Sequence, residues 1–326
     1  MVSLVVPIYN EEEIISLLHN AILEAMSGVD EDWEVVYVND GSRDRSLNLL
    51  LQLQQSDPHV VAVDLSRNWG HMGALTAGLK TAKGDAIVMM DGDLQDPPAV
   101  IPEMISAWRR GAQVVTAVRR SREESRKALA VLFPMFYRVL GALSDFPIPL
   151  NSGIFGLMDR KALDSVNALT ENNRYLPGLK AWVGYRTEVV YYDRADRAGG
   201  DGKLSFMSRI KYALDAICSF SYKPLRAAFL LAALAVCFAV VLAIAVLGFS
   251  GPQTNPAFGS ELAIAAVFFI GGIILFAVGV VGEYMGRIYD EVRGRPLSII
   301  NHVYRTNPAA EAALPEMEPP PALRAA

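Results

Sequence analysis

The chain has 326 residues but only two cysteines, Cys218 and Cys237. One lies on an amphipathic stretch and the other inside an apolar run, which excludes a disulfide framework and a cysteine-built zinc site. Positive charge is not in excess. Thirty Lys and Arg against 35 Asp and Glu leave a formal net charge of −5, with no overall basic footprint for nucleic acid. Glycine-rich phosphate loops are missing too. The first apolar run ends in Pro7-Ile8-Tyr9-Asn10-Glu11, where a dinucleotide fold requires G-x-G-x-x-G, and no G-x-x-x-x-G-K-[ST] occurs anywhere. The first residues lack the basic region and long apolar core of a signal peptide, so the N-terminus is expected in the cytoplasm.

What the chain does have is an acidic cluster at the end of a buried-looking run. Ala86 to Met90 is apolar, too short for a typical helix and long enough for a strand covered on both faces. It breaks into Asp91, Gly92, Asp93, Gln95 and Asp96, then Pro97 and Pro98. Carboxylates this close repel one another unless something compensates, and Mg²⁺ is commonly held by one or two carboxylates plus substrate phosphates. Asp96-Pro97-Pro98 reads as a helix start, with Asp96 as its N-cap.

The same pattern recurs along the chain. Val2–Ile8, Glu34–Val38, Val60–Leu65, Ala86–Met90, Gln113–Val118 and Thr187–Tyr192 read as strands, most of them followed by helical periodicity. This alternation predicts an open, mostly parallel α/β sheet with helices on its faces. Ligands in such sheets bind beyond the carboxyl ends of the strands. Four polar clusters fall there: Tyr9–Glu11, Asn39–Ser42, Arg67–His71 and Asp91–Gln95.

The later part of the chain is different. Ala128–Leu143 is an interrupted helix, and Arg194–Ser205 a basic, glycine-rich loop. Phe206–Ser221 sets apolar positions against Arg209, Lys211 and Asp215, as a helix lying at a membrane surface would. Ala227–Phe249 and Leu262–Gly282 are apolar and long enough to span a bilayer. Lys223 and Arg226 precede the first run and Arg287, Arg293 and Arg295 follow the second, while the connection Ser250–Ser260 has neither Lys nor Arg. The positive-inside rule therefore puts both flanks in the cytoplasm. The expected organisation is a catalytic domain at 1–202, a juxtamembrane helix at 203–226, a two-helix hairpin at 227–283, a cytoplasmic segment at 284–305 and a disordered tail at 306–326.

Val2–Glu11 (VSLVVPIYNE), Val38–Ser42 (VNDGS), Leu65–Leu79 and Gly84–Pro98 together resemble glycosyltransferase family 2, with Asp91-Gly92-Asp93 resembling its D-x-D motif. FYR at Phe136–Arg138, FSYKPLR at Phe220–Arg226 and GEYMGRIYDEVRGRP at Gly282–Pro296 narrow the similarity to the polyprenyl-phosphate glycosyltransferases. Those are relatives of dolichyl-phosphate mannose synthase and bactoprenol glucosyltransferase. The resemblance implies a GT-A (Rossmann-like) sheet domain, then an amphipathic helix and two transmembrane helices. It implies an inverting, multi-pass enzyme of the inner membrane, assembled as a homo-oligomer. Such an enzyme moves one sugar from a UDP- or GDP-linked donor to undecaprenyl or dolichyl phosphate, for cell-envelope glycan or lipid modification.

Carried over, the resemblance assigns the nucleoside to Pro7, Tyr9, Glu11 and Asp40, with Asp91 also at the donor. Mg²⁺ or Mn²⁺ falls to Asp91, Asp93 and Gln95. Acceptor phosphate falls to Arg119, Arg122, Arg138, Arg197, Lys203 and Ser205. Asp91, Asp93, Arg119 and Lys203 would carry the catalysis. Relatives usually read D-x-G-D-F-R-L-M-D-R where this chain has Asn151-Ser-Gly-Ile154-Phe-Gly156-Leu-Met-Asp159-Arg160. Ile154 and Gly156 replace an acid and an arginine, which keeps open an inactive lipid-binding scaffold or a different lipid acceptor. Asp159 and Arg160 read as helix capping and surface charge. A processive polysaccharide synthase lacks support, because no Q-x-x-R-W pattern is present.

Overall fold

A computed structural model describes residues 1–120, 152–169, 171, 174–193, 223–249 and 256–306. Within them the chain order is β1 (Val2–Ile8), α1 (Ile15–Met26), β2 (Trp33–Asn39), α2 (Ser46–Ser56), β3 (Val60–Leu65), α3 (His71–Thr81), β4 (Ala86–Met89) and a 3₁₀ turn (Pro98–Val100). Then come α4 (Ile101–Arg109), β5 (Val114–Arg119), β6 (Ser152–Asp159), α5 (Arg160–Asn167), α6 (Leu176–Trp182), β7 (Thr187–Tyr192), α7 (Lys223–Phe249), α8 (Pro256–Arg293) and β8 (Ile300–Tyr304).

The strands form one eight-stranded sheet in the order β7-β5-β6-β4-β1-β2-β3-β8. Strands β1 to β4 run parallel, and so do β5 and β7. Only β6, inserted antiparallel between β4 and β5, and β8, antiparallel to β3, run the other way. The mostly parallel α/β expectation is met. The carboxyl ends of β1, β2, β3, β4, β5 and β7 therefore share one edge, and β6 begins at that same edge, with Ser152 paired to Val118.

Both sheet faces are covered, which is why the strands read as continuous apolar runs. Along β1 the period of two sends Leu4, Val6 and Ile8 to one core with Ile15, Leu18, Ile22, Met104 and Ile105. It sends Val5 to the other, with Leu75, Leu79, Leu163, Leu176 and Leu179. Each such side chain, fully buried, contributes about 1.5–3 kcal/mol.

Two strands, β6 and β8, stand outside the expected strand set. β8 covers the outer edge of β3, pairing Val303 with Val63 and His302 with Asp64. Arg305 fastens it. Its guanidinium donates to Glu34 Oε2 at 2.9 Å and to the Thr81 carbonyl at 2.8 Å, while Glu34 Oε1 accepts from the Ser3 hydroxyl and the Lys83 amide, both at 2.7 Å. Arg305 and Glu34 side chains are each only 9% exposed. The strand that follows α8 is thus tied into the parallel core.

Among the described residues one helical segment, Ala266–Arg293 of α8, is long and apolar enough to cross a membrane, and none of it is buried. The described apolar stretch of α7, Ala228–Val241, is shorter. The expected helices at Ala128–Leu143 and Phe206–Ser221 lie outside the described residues.

Candidate active site

The site is built from the turns that follow the strands. After β1, Asn10 turns with φ 52°, its side-chain Oδ1 accepts from the Arg43 amide at 2.8 Å, and its own amide donates to Ser42 Oγ at 3.0 Å. The Glu11 amide donates to Ser46 Oγ at 3.1 Å, and the Glu12 amide to Asp44 Oδ2 at 3.2 Å. The turns after β1 and β2 are therefore one hydrogen-bonded unit, and it carries Tyr9, Glu11 and Asp40. Pro7 lies within β1, paired with Val38 of β2.

The turn after β2 locks onto the turn after β3. Asp40 is 3% exposed, and its Oδ1 accepts from the Trp69 amide at 2.7 Å. Burial pushes its carboxyl up, and the amides of Trp69 and Gly70 pull it part of the way back. Gly41 has φ +64°, and a Cβ there would lie 2.6 Å from the backbone of Arg67 and Asn68. Only glycine permits that approach. The Arg67 guanidinium stacks 3.6 Å above the Trp69 ring.

The turn after β3 starts α3, and its first residue reaches the acidic cluster. His71 Nε2 lies 2.8 Å from Asp91 Oδ1. Close packing pulls the imidazole down, but the hydrogen bond and charge of Asp91, with Asp40 and Asp93, outweigh it and raise its pKa. Asp93 Oδ1 accepts from the Gln95 amide at 3.1 Å, which closes the turn. Among the described residues no group of three or more His, Cys, Asp and Glu is disposed to hold a metal. The protein therefore offers two hard oxygen donors, Asp91 and Asp93, on one short turn. That donor set fits Mg²⁺ or Mn²⁺ completed by substrate phosphate, and not an all-protein cage.

Asp96 does something other than cap a helix. The 3₁₀ turn begins at Pro98 with Pro97 before it, and no side chain caps it. Asp96 is 2% exposed; its Oδ1 accepts from the Tyr192 hydroxyl at 2.6 Å and lies 3.7 Å from Arg119 Nη2. A buried carboxylate needs donors, and the aromatic residue ending β7 supplies one that a capping position would not. Arg119 Nε in turn donates to the Tyr192 oxygen at 3.0 Å. Burial works against the Arg119 charge, but Tyr192, Asp96 and Asp91 raise its pKa. Burial, and then Asp96, push Tyr192 up to about 12.

On β6, Gly156 pairs with Met89 of β4, two residues before Asp91. A Cβ at this glycine would sit 2.4 Å from the Val115 carbonyl oxygen, so this backbone has no room for the arginine expected there. Asp159 caps α5, accepting from the Lys161 amide at 2.9 Å, and also accepts from Trp108 Nε1 at 2.8 Å. Arg160 is more than surface charge: its guanidinium donates to the Gly84 and Ala82 carbonyls, at 2.9 Å from Nε and 2.8 Å from Nη2 respectively.

The described structure thus brings Pro7, Tyr9, Glu11, Asp40, Asp91, Asp93, Gln95 and Arg119 to one sheet edge. Arg122, Arg138, Arg197, Lys203 and Ser205 lie outside the described residues. His71 and Tyr192 carry no role in the sequence reading, and Asp96 carries only that of a helix cap. His71 had a sequence signal in the Arg67–His71 cluster, and Asp96 had one in its place beside Asp91 and Asp93.

Against known proteins, residues 3–166 match the family description Glycosyl transferase family 2. The chain belongs to glycosyltransferase family 2 and is a transferase enzyme. It is 41% identical over 304 residues to an uncharacterized glycosyltransferase, YkcC, of Bacillus subtilis, covering 93% of this chain and 94% of that one. It is 38% identical over 311 residues to a bactoprenol glucosyl transferase of Shigella phage SfII, covering 94% and 99%. A solved mannosyltransferase, PcManGT from Pyrobaculum calidifontis in complex with GDP-Man and Mn2+, aligns at 16% identity and TM-score 0.49 over 91% of this chain and 84% of that one.

Proposed function

We propose that this protein transfers a single sugar from a nucleotide sugar to a polyprenyl phosphate at the cytoplasmic face of a membrane, with inversion at the anomeric carbon. The observation that carries the reading is the juxtaposition of Asp40, Asp91, Asp93 and Arg119 at one edge of a family 2 sheet. The bactoprenol relative supplies the acceptor class, and the apolar segment of α8 supplies a means of reaching a lipid. The expected second span is α7, with both flanks of the helix pair inside and the protein a homo-oligomer.

The chemistry follows from charge. An acceptor phosphate oxygen attacks the anomeric carbon, forming the new C–O bond as the bond to the nucleoside diphosphate breaks. A phosphate monoester has a second pKa of about 6, so at neutral pH the nucleophile is mostly ionised already and no general base is required. Positioning and charge neutralisation dominate. Asp91 and Asp93, with Gln95, would hold Mg²⁺ or Mn²⁺, which when bound neutralises charge on the leaving diphosphate. Tyr9, Glu11 and Asp40 hold the nucleoside from the fused turns after β1 and β2. Arg119, held by Tyr192 and Asp96, receives the acceptor phosphate.

The test incubates membranes containing the full chain with undecaprenyl phosphate and a panel of labelled UDP- and GDP-sugars, UDP-glucose first. A labelled lipid with one donor is the expected result. If no donor gives one, the proposed transfer to a polyprenyl phosphate is refuted and the alternative of a lipid-binding relative that has kept the fold is favoured.

A further inference from the structure

Lys180 is a buried charge without a counter-charge among the described residues. It sits within α6 and is 2% exposed. Its Nζ donates to the carbonyl oxygens of Gly153 at 3.4 Å and Ile154 at 3.3 Å. Both contacts are long for an N–H···O bond. An ammonium carries three donors, and the third finds no acceptor among the described residues. No described carboxylate pairs with it; burial alone pushes its amine down to about 8, which leaves it mostly charged at neutral pH.

Its place is specific. A Cβ on Gly156 would lie 3.3 Å from Lys180 Nζ, so the amine fills room that the missing side chain leaves open. The two carbonyls it touches open β6 at the site's edge. A Cβ on Gly153 would lie 3.8 Å from Arg119 Nη2, and Gly156 pairs with Met89, just before the acidic turn. The ammonium therefore stands behind the strand end that lies between Arg119 and Asp91. An unbalanced buried charge is unfavourable, and an apolar side chain of similar length would fill the same space at lower cost.

We propose that Lys180 is a positioning residue whose counter-charge arrives with the substrate, as a phosphate group bound at the edge beyond Gly153 and Ile154, beside Arg119. This rests on the reading of the site as one for glycosyl transfer to a phosphate. Two phosphates meet there, the acceptor monoester and the donor diphosphate, and the experiment separates them.

The full-length protein, wild type and Lys180→Met, is assayed in detergent with undecaprenyl phosphate and the active nucleotide sugar, and Tm is recorded for both. Lys180→Met is expected to keep or raise Tm, because it removes an unbalanced charge. It is also expected to lower kcat/KM roughly 10- to 100-fold, the scale of one charged hydrogen bond. A loss expressed in KM for the polyprenyl phosphate assigns Lys180 to the acceptor. A loss expressed in KM for the nucleotide sugar assigns it to the diphosphate. Unchanged kinetics overturn the proposal, and so does a loss of activity that follows a lowered Tm. A wild type that transfers nothing to lipid refutes the reading of the site, and the proposal with it.

Discussion

Removing the Arg305 guanidinium tests whether the strand after α8 is part of the catalytic domain's stability. Arg305 and Glu34 form a pair whose side chains are each 9% exposed, at 2.9 Å. Deleting one partner of a buried pair typically costs about 3–5 kcal/mol, because the other charge stays buried. Here Glu34 keeps two donors, the Ser3 hydroxyl and the Lys83 amide, so the lower end applies, about 3 kcal/mol for Arg305→Met. At about 2–4 °C per kcal/mol for a folded unit of roughly 150–250 residues, that is a fall in Tm of about 6–12 °C. Glu34→Gln added to Arg305→Met removes the stranded charge while keeping an acceptor for Ser3 and Lys83. The double variant is expected to recover about 2 kcal/mol. Thermal and urea unfolding of the purified full chain, read by tryptophan fluorescence, measure both. A cost below about 0.5 kcal/mol for Arg305→Met, or a double variant less stable than the single, would refute the reasoning.

Two further outcomes follow from single residues. His19 is 4% exposed; its Nδ1 is 3.2 Å from the Tyr37 hydroxyl and its Nε2 3.2 Å from Asp57, which also holds His59 at 2.7 Å. Burial pulls the His19 pKa below its ordinary 6.5, against the opposing pull of Asp57. The unfolded chain therefore takes up a proton first. Stability should fall as pH drops from about 6.5 toward the lowered folded value, and His19→Gln should flatten that part of a urea-midpoint profile; parallel profiles would count against this account. Gly41→Ala places a Cβ 2.6 Å from the Arg67 and Asn68 backbone at φ +64°. It should destabilise by about 2 kcal/mol or more and raise KM for the nucleotide sugar while sparing KM for the lipid.

The parallel strands were legible because each is an apolar run ended by a polar turn, and the fused turns bear their site residues directly on those ends. β6 was hidden by Gly153 and Gly156 in SGIFGLMD, which weaken any local strand signal. Its strand state comes from pairing on both sides, to β4 and β5. β8 is five residues long and is defined by the open edge of β3. Asp96-Pro97-Pro98 carries the local signature of a helix start, and a helical turn does begin at Pro98, but a tyrosine 96 positions away takes the Asp96 carboxylate that the signature gives to a cap. Lys180 had no local signal at all. Its meaning appears only once Gly156 and the end of β6 are seen around it.

The measurement closest to the central claim is metal-dependent transfer of labelled sugar to undecaprenyl phosphate by the wild type and by Asp93→Asn. The account predicts a labelled lipid from the wild type that disappears with EDTA and returns with Mn²⁺. It predicts at least about a 100-fold lower rate from Asp93→Asn, the size expected when a group stabilising transition-state charge is lost. Transfer that persists undiminished in Asp93→Asn, or that ignores EDTA, would contradict it.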